Sequence, residues 1–241
     1  MEVINDLLNF NNIKIYQNTD WFNFSLDSVL LADFVKVNNK MKVIDFCTGN
    51  APIPLILSTK TKSDIIGVEL QKEVFDLANK SIKYNNLENQ ITIINEDVKN
   101  LNKIYETDSF DLITCNPPYF KTEENANINE NKIKAIARHE LYLNLDDVFS
   151  CAKKLLKNNG KIAIVHRTDR LVDIICLMRK YNIEPKRIKF IYPFFDSKSN
   201  LVMIEGAKNG NPGLILEENI IVHEKNGTYK KEILAIFNGG K

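Results

Sequence analysis

Short apolar runs alternate with amphipathic stretches along the chain from residue 42 onward. The runs have the length of buried strands, and the stretches between them repeat apolar residues at helical spacing, which is typical of a doubly wound sheet. In 71–85, for example, Val74, Leu77, Ala78 and Ile82 share one helical face. The pattern predicts strands at Lys42–Phe46, Asp64–Glu69, Gln90–Asn95, Phe110–Cys115, Lys161–His166, Arg187–Tyr192 and Leu201–Gly206, with helices near 52–59, 71–85, 98–105, 145–158 and 169–181.

The last two predicted strands follow each other without a helix between them. Residues 193–198 connect them, so we expect a hairpin that adds one antiparallel strand to the parallel ones. The predicted fold is therefore α/β: a Rossmann-like, seven-stranded, mostly parallel sheet with helices on both faces. A strand at Ile13–Gln17 and a helix at Leu26–Val37, capped by Ser25 or Asp27, are expected before it.

Length and composition indicate how many domains the chain forms and where it is located. With 241 residues, 44% hydrophobic and 26% charged, it fits a single domain over 1–241, in which 1–40 form an N-terminal extension near the ligand site. The sequence shows neither an apolar run of membrane-helix length nor a secretion signal, so we expect a cytoplasmic protein without membrane attachment. The four cysteines lie far apart, which favours reduced thiols and no metal site. The oligomeric state stays open, with a monomer preferred.

Charge is distributed unevenly between the two parts of the chain. Residues 1–150 carry 15 Lys+Arg against 22 Asp+Glu, whereas residues 151–241 carry 17 against 9. A basic face of this kind serves either solvation or nucleic-acid binding. The candidate RNA contacts are Arg167, Arg170, Arg179, Lys180, Lys186, Arg187 and Lys189.

An acidic residue stands at or just past the end of each of the first three predicted strands. Asp45 precedes a turn in which Gly49 lets a ligand approach the backbone. Glu69 follows Gly49 by 20 residues, where a carboxylate can accept both ribose hydroxyls of a nucleoside, and Asp97 can accept from an adenine amino group. Because ligands of open α/β sheets bind beyond these strand ends, the three carboxylates predict a nucleoside cofactor.

The fourth predicted strand runs directly into Asn116, Pro117, Pro118 and Tyr119. The prolines fix the backbone and remove two N–H donors, which leaves a stiff turn of acceptors. Asn116 Oδ1 and the Pro117 carbonyl can accept from a planar NH₂ group and localise its lone pair, while Tyr119 stacks on the ring that carries it. The turn predicts catalysis on an amino-group substrate.

Together these residues resemble bacterial tRNA (adenine-N6)-methyltransferases that act on the anticodon loop of valine tRNA. The resemblance covers nearly the whole chain and includes Phe24–Leu31, Ala137–Glu140 and Leu201–Lys208. It implies a class I fold, S-adenosylmethionine as cofactor and a tRNA adenine beside the anticodon as substrate. It further implies catalysis by Asn116, Pro117, Pro118 and Tyr119, and cofactor binding by Asp45, Cys47, Gly49, Asn50, Glu69, Asp97, Val98, Asn116 and Asp27, with His139 and Glu140 near the target base.

Other functions share parts of this pattern. Protein glutamine N5-methyltransferases have the same catalytic turn, but they resemble this chain only in the core, because they carry a preceding helical domain. DNA adenine methyltransferases usually add a target-recognition domain, which the sequence lacks. From a different class, a cofactor-binding RNA chaperone without catalysis stays open, and measured methyl transfer to RNA would separate it from an enzyme.

Overall fold

The computed structural model describes residues 1–7, 12–21, 25–119 and 143–239. In chain order the strands are β1 (Glu2–Asp6), β2 (Lys14–Asn18), β3 (Val43–Phe46), β4 (Ile65–Glu69), β5 (Ile91–Asn95), β6 (Phe110–Cys115), β7 (Leu156–Arg167), β8 (Ile183–Tyr192), β9 (Leu201–Lys208), β10 (Ile215–Leu216) and β11 (Ile220–Ile221). The α-helices are α1 (Leu26–Phe34), α2 (Pro52–Ser58), α3 (Lys72–Tyr84), α4 (Leu145–Leu155), α5 (Leu171–Lys180) and α6 (Lys231–Phe237), and 3₁₀ turns span Val98–Lys103 and Thr168–Arg170.

The central sheet has the order β10-β8-β9-β7-β6-β3-β4-β5, with β11 also paired to β8. Neighbouring strands from β5 to β7 are parallel, and β9 runs antiparallel to both β7 and β8. The predicted seven-stranded sheet with one antiparallel strand and a closing hairpin is therefore confirmed. Two short strands, β10 and β11, add parallel pairs to β8 that the sequence did not indicate.

Helices cover both faces of the sheet, as expected. Residues of α1, α2, α3 and α6 share one buried cluster, and residues of α4, α5 and the Val98–Lys103 turn share the other. The strands between them are mostly apolar. All residues of β3 are buried, including Asp45, which is the usual state of a parallel strand covered on both sides. The two helix layers hold the parallel strands in place, so that the carboxyl ends of these strands lie together at one edge of the sheet.

Several predicted element assignments were wrong. Strand β7 begins at Leu156 instead of Lys161, and β8 begins at Ile183 instead of Arg187. The helix expected over 145–158 ends at Leu155, because Leu156 continues as extended chain and pairs with Phe110 in the sheet. The helix expected over Leu26–Val37 ends at Phe34, where Val35 is already extended. The segment expected as a helix near 98–105 is a 3₁₀ turn.

The N-terminal residues form a hairpin of β1 and β2 that packs on α3. The backbone N–H of Tyr16 donates to Ser81 Oγ at 2.9 Å, and the Tyr16 carbonyl accepts from Asn50 Nδ2 at 3.0 Å. The N-terminal extension therefore reaches the loop after β3, next to the predicted cofactor site. Strand β1 escaped prediction because four of its five residues are exposed.

Candidate active site at the carboxyl ends of the strands

The loop after β3 has an unusual backbone. Cys47, Gly49 and Ala51 all have positive φ angles, of 56°, 59° and 70°. For the two residues with a side chain this conformation costs about 1–2 kcal/mol each, and such strain is typical of functional loops. A Cβ built on Gly49 would meet no atom within 4 Å, so the space beside it is open. The loop thus offers a bare backbone surface to a ligand.

Asp45 supports this loop from below. Its side chain is fully buried, and its two carboxylate oxygens accept from Thr48 Oγ1 at 2.7 Å and from Thr114 Oγ1 at 2.6 Å. Burial raises the pKa of Asp45 to about 7, although both threonine hydrogen bonds act in the opposite direction. Asp45 therefore connects the loop after β3 to β6, and its direct contact with a cofactor stays a prediction.

Glu69 holds the same loop from the side of β4. Its Oε2 accepts from the backbone N–H of Gly49 and its Oε1 from that of Gln71, both at 2.9 Å. Burial raises the pKa of this carboxyl, which is 7% exposed. Each carboxylate oxygen keeps a second lone pair, so Glu69 can still accept from ligand hydroxyls.

The third acidic residue lies at the same edge. The backbone N–H of Glu96 donates to the Glu69 carbonyl at 3.1 Å, which brings Asp97 close to the end of β4. Asp97 Oδ1 accepts from the backbone N–H of Lys99 and caps the 3₁₀ turn. Val98 is 5% exposed and belongs to the core under this turn. The three predicted carboxylates thus come together at one edge of the sheet.

The predicted catalytic turn meets the first turn of α1. Asn116 Nδ2 donates to Ser28 Oγ at 3.0 Å. The Tyr119 hydroxyl lies 2.6 Å from Asp27 Oδ2 and 2.7 Å from Asn116 Oδ1. The structure thus places Asp27, predicted as a cofactor residue, against Tyr119, and it adds Ser28, which the sequence analysis missed. Ser25 precedes the helix but makes no capping hydrogen bond, contrary to expectation.

Protonation in this turn follows from burial. Burial raises the pKa of Asp27, while the hydrogen bond from Tyr119 lowers it. Burial and the neighbouring Asp27 together raise the pKa of the Tyr119 phenol well above its ordinary value. Tyr119 therefore remains a neutral hydroxyl that donates one proton, shared between Asp27 and Asn116.

His166, at the end of β7, packs against Tyr119 and was also missed. The two ring centroids are 5.0 Å apart. The imidazole is fully buried, its Nδ1 accepts from the backbone N–H of Arg167, and burial lowers its pKa to about 4. A neutral imidazole thus supports the back of the tyrosine ring. His166 could have been predicted from the sequence because it stands at the end of the strand that lies next to β6.

A cavity of about 500 Å³ opens beside the catalytic turn, within the size range of small-ligand sites. One wall is formed by α1 and Tyr119, and the other by the end of β7 and the β8–β9 connection. Its lining residues are Asp27, Tyr119, Arg167, Asp169, Lys198, Ser199, Asn200 and Leu201. The cavity therefore lies next to Tyr119, whose hydroxyl is 2.7 Å from the Asn116 amide oxygen.

Six of the seven basic residues predicted to contact RNA form ion pairs, and the seventh, Lys186, donates to the Asn211 carbonyl at 2.9 Å. Arg187 is 9% exposed and donates to Glu205, Glu217 and the Phe34 carbonyl, so its prediction as a surface contact was wrong. The charge count could not show this, because it does not reveal which acids lie beside which bases. Other pairs are Arg167–Asp169, Arg170–Asp173, Arg179–Glu184, Lys180–Asp146 and Lys189–Glu217.

Some predictions fall outside the described residues. These are the polar loop 122–132 and the pair His139 and Glu140. Within the described part of the chain, no group of His, Cys, Asp or Glu could hold a metal ion. No helix in that part is both long and apolar enough to cross a membrane.

Comparison with known proteins gives consistent matches. A family model described as a methyltransferase domain matches residues 37–218. A tRNA1(Val) (adenine(37)-N6)-methyltransferase of Trichodesmium erythraeum is 26% identical over 231 residues, covering 94% of both chains. The Aeromonas hydrophila protein of the same name is 24% identical over 212 residues, covering 87% of this chain and 86% of its own. Among solved structures, a predicted O-methyltransferase from Agrobacterium tumefaciens superposes with a TM-score of 0.70 at 16% identity, covering 89% of this chain and 96% of the other.

Proposed function

Because the chain belongs to the methyltransferase-domain family, we propose that it transfers a methyl group from S-adenosylmethionine to N6 of an adenine in the anticodon loop of tRNA. The adenine next to the anticodon of tRNA1(Val) is the proposed target, since the curated relatives that cover most of the chain carry this activity in their names. Such a substrate places the enzyme in the cytoplasm.

The proposal rests on the loop after β3 and the turn after β6, which lie side by side. In the sheet, Phe46 at the end of β3 pairs with Cys115 at the end of β6. The open loop around Gly49 and the turn that begins at Asn116 therefore leave the sheet side by side. A nucleoside cofactor on the loop and an amino group on the turn would meet at this position, which is the proximity that methyl transfer requires.

The residues around Gly49 fit the cofactor. The bare loop provides space, Glu69 has lone pairs left for ribose hydroxyls, and Asp97 stands where an adenine amino group would lie. When bound, S-adenosylmethionine supplies an activated methyl group on its sulfonium. Asn50 connects this loop to the N-terminal hairpin, and Cys47 shapes its backbone.

Asn116 acts on the acceptor. Its Nδ2 is bonded to Ser28, which fixes the orientation of the amide and directs Oδ1 away from that helix. This oxygen has two lone pairs, of which the Tyr119 hydroxyl uses one, so the other can accept from the adenine amino group. This hydrogen bond localises the nitrogen lone pair for attack, while the proton stays on the nitrogen. The Pro117 carbonyl is the second acceptor of the turn, and Pro118 stiffens it.

Tyr119 provides the surface on which the target base stacks. His166 packs on the ring and the Asp27 hydrogen bond holds its hydroxyl, so the ring is fixed before substrate arrives. Stacking on an aromatic ring contributes about 1–3 kcal/mol per base and suits a base that has left its stack in a loop.

The test is methylation of tRNA by the purified protein, with modified nucleosides identified by mass spectrometry. Wild-type protein should form N6-methyladenosine in tRNA from a strain that lacks this enzyme. The Asn116→Ala variant should lose at least about 100-fold in rate, since it removes one hydrogen bond at the reacting group, while cofactor affinity by calorimetry stays within about 3-fold. Asn102→Ala, which changes an exposed asparagine of the 3₁₀ turn, is the matched control.

Three results would contradict the proposal. Single-turnover transfer by Asn116→Ala within a few-fold of wild type would exclude the assigned mechanism. Methylation of a protein glutamine but of no RNA would assign the glutamine activity. Cofactor and RNA binding without any transfer would assign the RNA chaperone.

A further inference from the structure

The connection between β8 and β9 exposes a phenylalanine on a fixed turn. Phe195 is 79% exposed. The turn around it is closed by the Ser197 N–H, which donates to the Phe194 carbonyl at 3.2 Å, and by the Phe194 N–H, which donates to Ser197 Oγ at 3.0 Å. A single exposed apolar side chain is common on protein surfaces, but two adjacent exposed phenylalanines on one ordered turn begin an apolar patch, and such patches mark contact sites for a partner.

Further aromatic rings continue from this turn. The ring centroid of Phe194 lies 5.4 Å from that of His223, which in turn lies 4.9 Å from Tyr229 at an interplanar angle of 27°. Phe194 is 37% exposed and Tyr229 is 42% exposed. We call Phe194, Phe195, His223 and Tyr229 the aromatic row.

The aromatic row and the cavity beside the catalytic turn share one connection of the chain. Lys198, Ser199 and Asn200, which line that cavity together with Tyr119, belong to the same β8–β9 connection as Phe195. Lys198 is exposed and forms no ion pair with any residue that the structure describes. The β8–β9 connection therefore supplies both a cation at the cavity and an exposed aromatic ring three residues before it.

We propose that the aromatic row binds the unpaired RNA bases next to the target adenine by stacking, with Lys198 on the intervening phosphate. This inference rests on the proposed function and deepens it by assigning the surface that recognises the loop. Every base offers a π face to a ring, so the surface suits single-stranded loops more than paired duplex, whose bases are already stacked. Because the same connection lines the cavity beside the catalytic turn and places Lys198 there, RNA is favoured over a protein partner or a second copy of this chain.

Phe195 is the residue on which the proposal depends. Phe194, His223 and Tyr229 also pack the C-terminal segment, since Tyr229 lies 5.0 Å from Phe237 of α6, so changing them would alter folding as well. The Phe195 side chain has no ring partner among the described residues. Its replacement therefore tests the surface and leaves the fold unchanged.

The experiment measures the affinity of the full-length protein for an RNA hairpin with the valine anticodon loop. Phe195→Ala should weaken binding about 5- to 150-fold, the range for one base stack, and Phe195→Trp should retain it. Tyr84→Ala is the matched control: it removes an aromatic that is 53% exposed at the end of α3, at the opposite edge of the sheet, and should leave affinity unchanged.

Salt dependence separates stacking from charge. Phe195→Ala should lower affinity without changing the slope of log affinity against log salt, whereas Lys198→Ala should reduce that slope by about 0.7–0.9. A duplex of the same length should bind wild type and Phe195→Ala equally.

Hairpin affinity of Phe195→Ala within 2-fold of wild type would overturn the inference, and so would an equal loss of affinity for hairpin and duplex. If Phe195→Ala without RNA sedimented as a smaller species than wild type, the aromatic row would instead be a contact between copies of the chain. In the first case tRNA methylation by wild type would still support the proposed function. Conversely, hairpin binding that depends on Phe195 without any methyl transfer would support the row and reject the proposed function.

Discussion

Two groups of buried carboxylates in this molecule are stabilised in opposite ways. At the edge that forms the candidate site, Asp45 and Glu69 accept only from neutral donors, and burial raises both pKa values. On the hairpin side of the sheet, Glu205 is equally buried but accepts from Arg187 and Lys161. Burial alone would raise the pKa of Glu205, yet these cations lower it.

The difference separates a binding site from a structural one. A carboxyl group among neutral donors has no cationic partner, so a ligand can still engage it, and its burial costs free energy of folding. A carboxylate already paired with guanidinium and ammonium groups has nothing left to offer, and its role is confined to holding elements together. The buried carboxylates of the acidic first part and the basic last part of the chain thus differ in the charge of their hydrogen-bond donors, which the net charge of each part does not show.

The largest expected effect is on the stability of the fold, when the ion pairs of Glu205 are broken. Arg187→Ala leaves Glu205 buried without its main partner, so the free energy of unfolding should fall by about 3–5 kcal/mol in urea denaturation. Arg179→Ala, which removes an exposed pair with Glu184, should change it by less than about 1 kcal/mol. If Arg187→Ala unfolded like wild type but lost tRNA binding, Arg187 would have to be an RNA contact after all.

Changing a carboxylate whose hydrogen-bond donors are neutral should alter the affinity for the cofactor. Glu69→Ala removes a charged acceptor and should weaken S-adenosylmethionine binding by about 1.5–3 kcal/mol, or about 10- to 150-fold, in calorimetry. Glu205→Gln, measured at a temperature where the variant is folded, should leave this affinity unchanged. Equal affinity loss in both variants would mean that the two groups do not differ in the way described.

A smaller effect should appear in the pH dependence of stability. Burial raises the pKa of folded Asp45 from its ordinary value of 3.8 to about 7, so rising pH in this interval destabilises the wild type. His166 acts oppositely: its pKa falls from 6.5 to about 4, so rising pH stabilises the wild type. Relative to wild type, the stability of Asp45→Asn should therefore rise by roughly 1–2 kcal/mol from pH 5 to 7, and that of His166→Phe should fall by a similar amount.

Denaturation of both variants and wild type at each pH measures these slopes. Since the two groups titrate over overlapping intervals, the wild type itself should show little net change from them. Slopes of the same sign would show that at least one of the two groups is protonated differently from what its burial implies.

The sequence predicted the parts of the fold that depend on local pattern. Apolar runs such as Phe110–Cys115 are buried on both faces, so their pattern identifies strands, and strand ends then locate Glu69 and Asn116. Strands β10 and β11 are two residues each and leave no such pattern. Ser28 and His166 could not be assigned, because their contacts with Asn116 and Tyr119 arise only when distant elements pack. The same limit explains Arg187, whose partners come from three separate segments.

The position of α1 also has a consequence for how the protein is made. This helix supplies Asp27 and Ser28 to the catalytic turn, and its last carbonyl, at Phe34, accepts from Arg187, 153 residues further along the chain. During synthesis from the N-terminus, α1 leaves the ribosome early but acquires this partner only after β8 has emerged. Contacts of such long sequence separation form late in folding. The helix that supplies Asp27 and Ser28 is therefore anchored at its C-terminal end only after β8 has been synthesised.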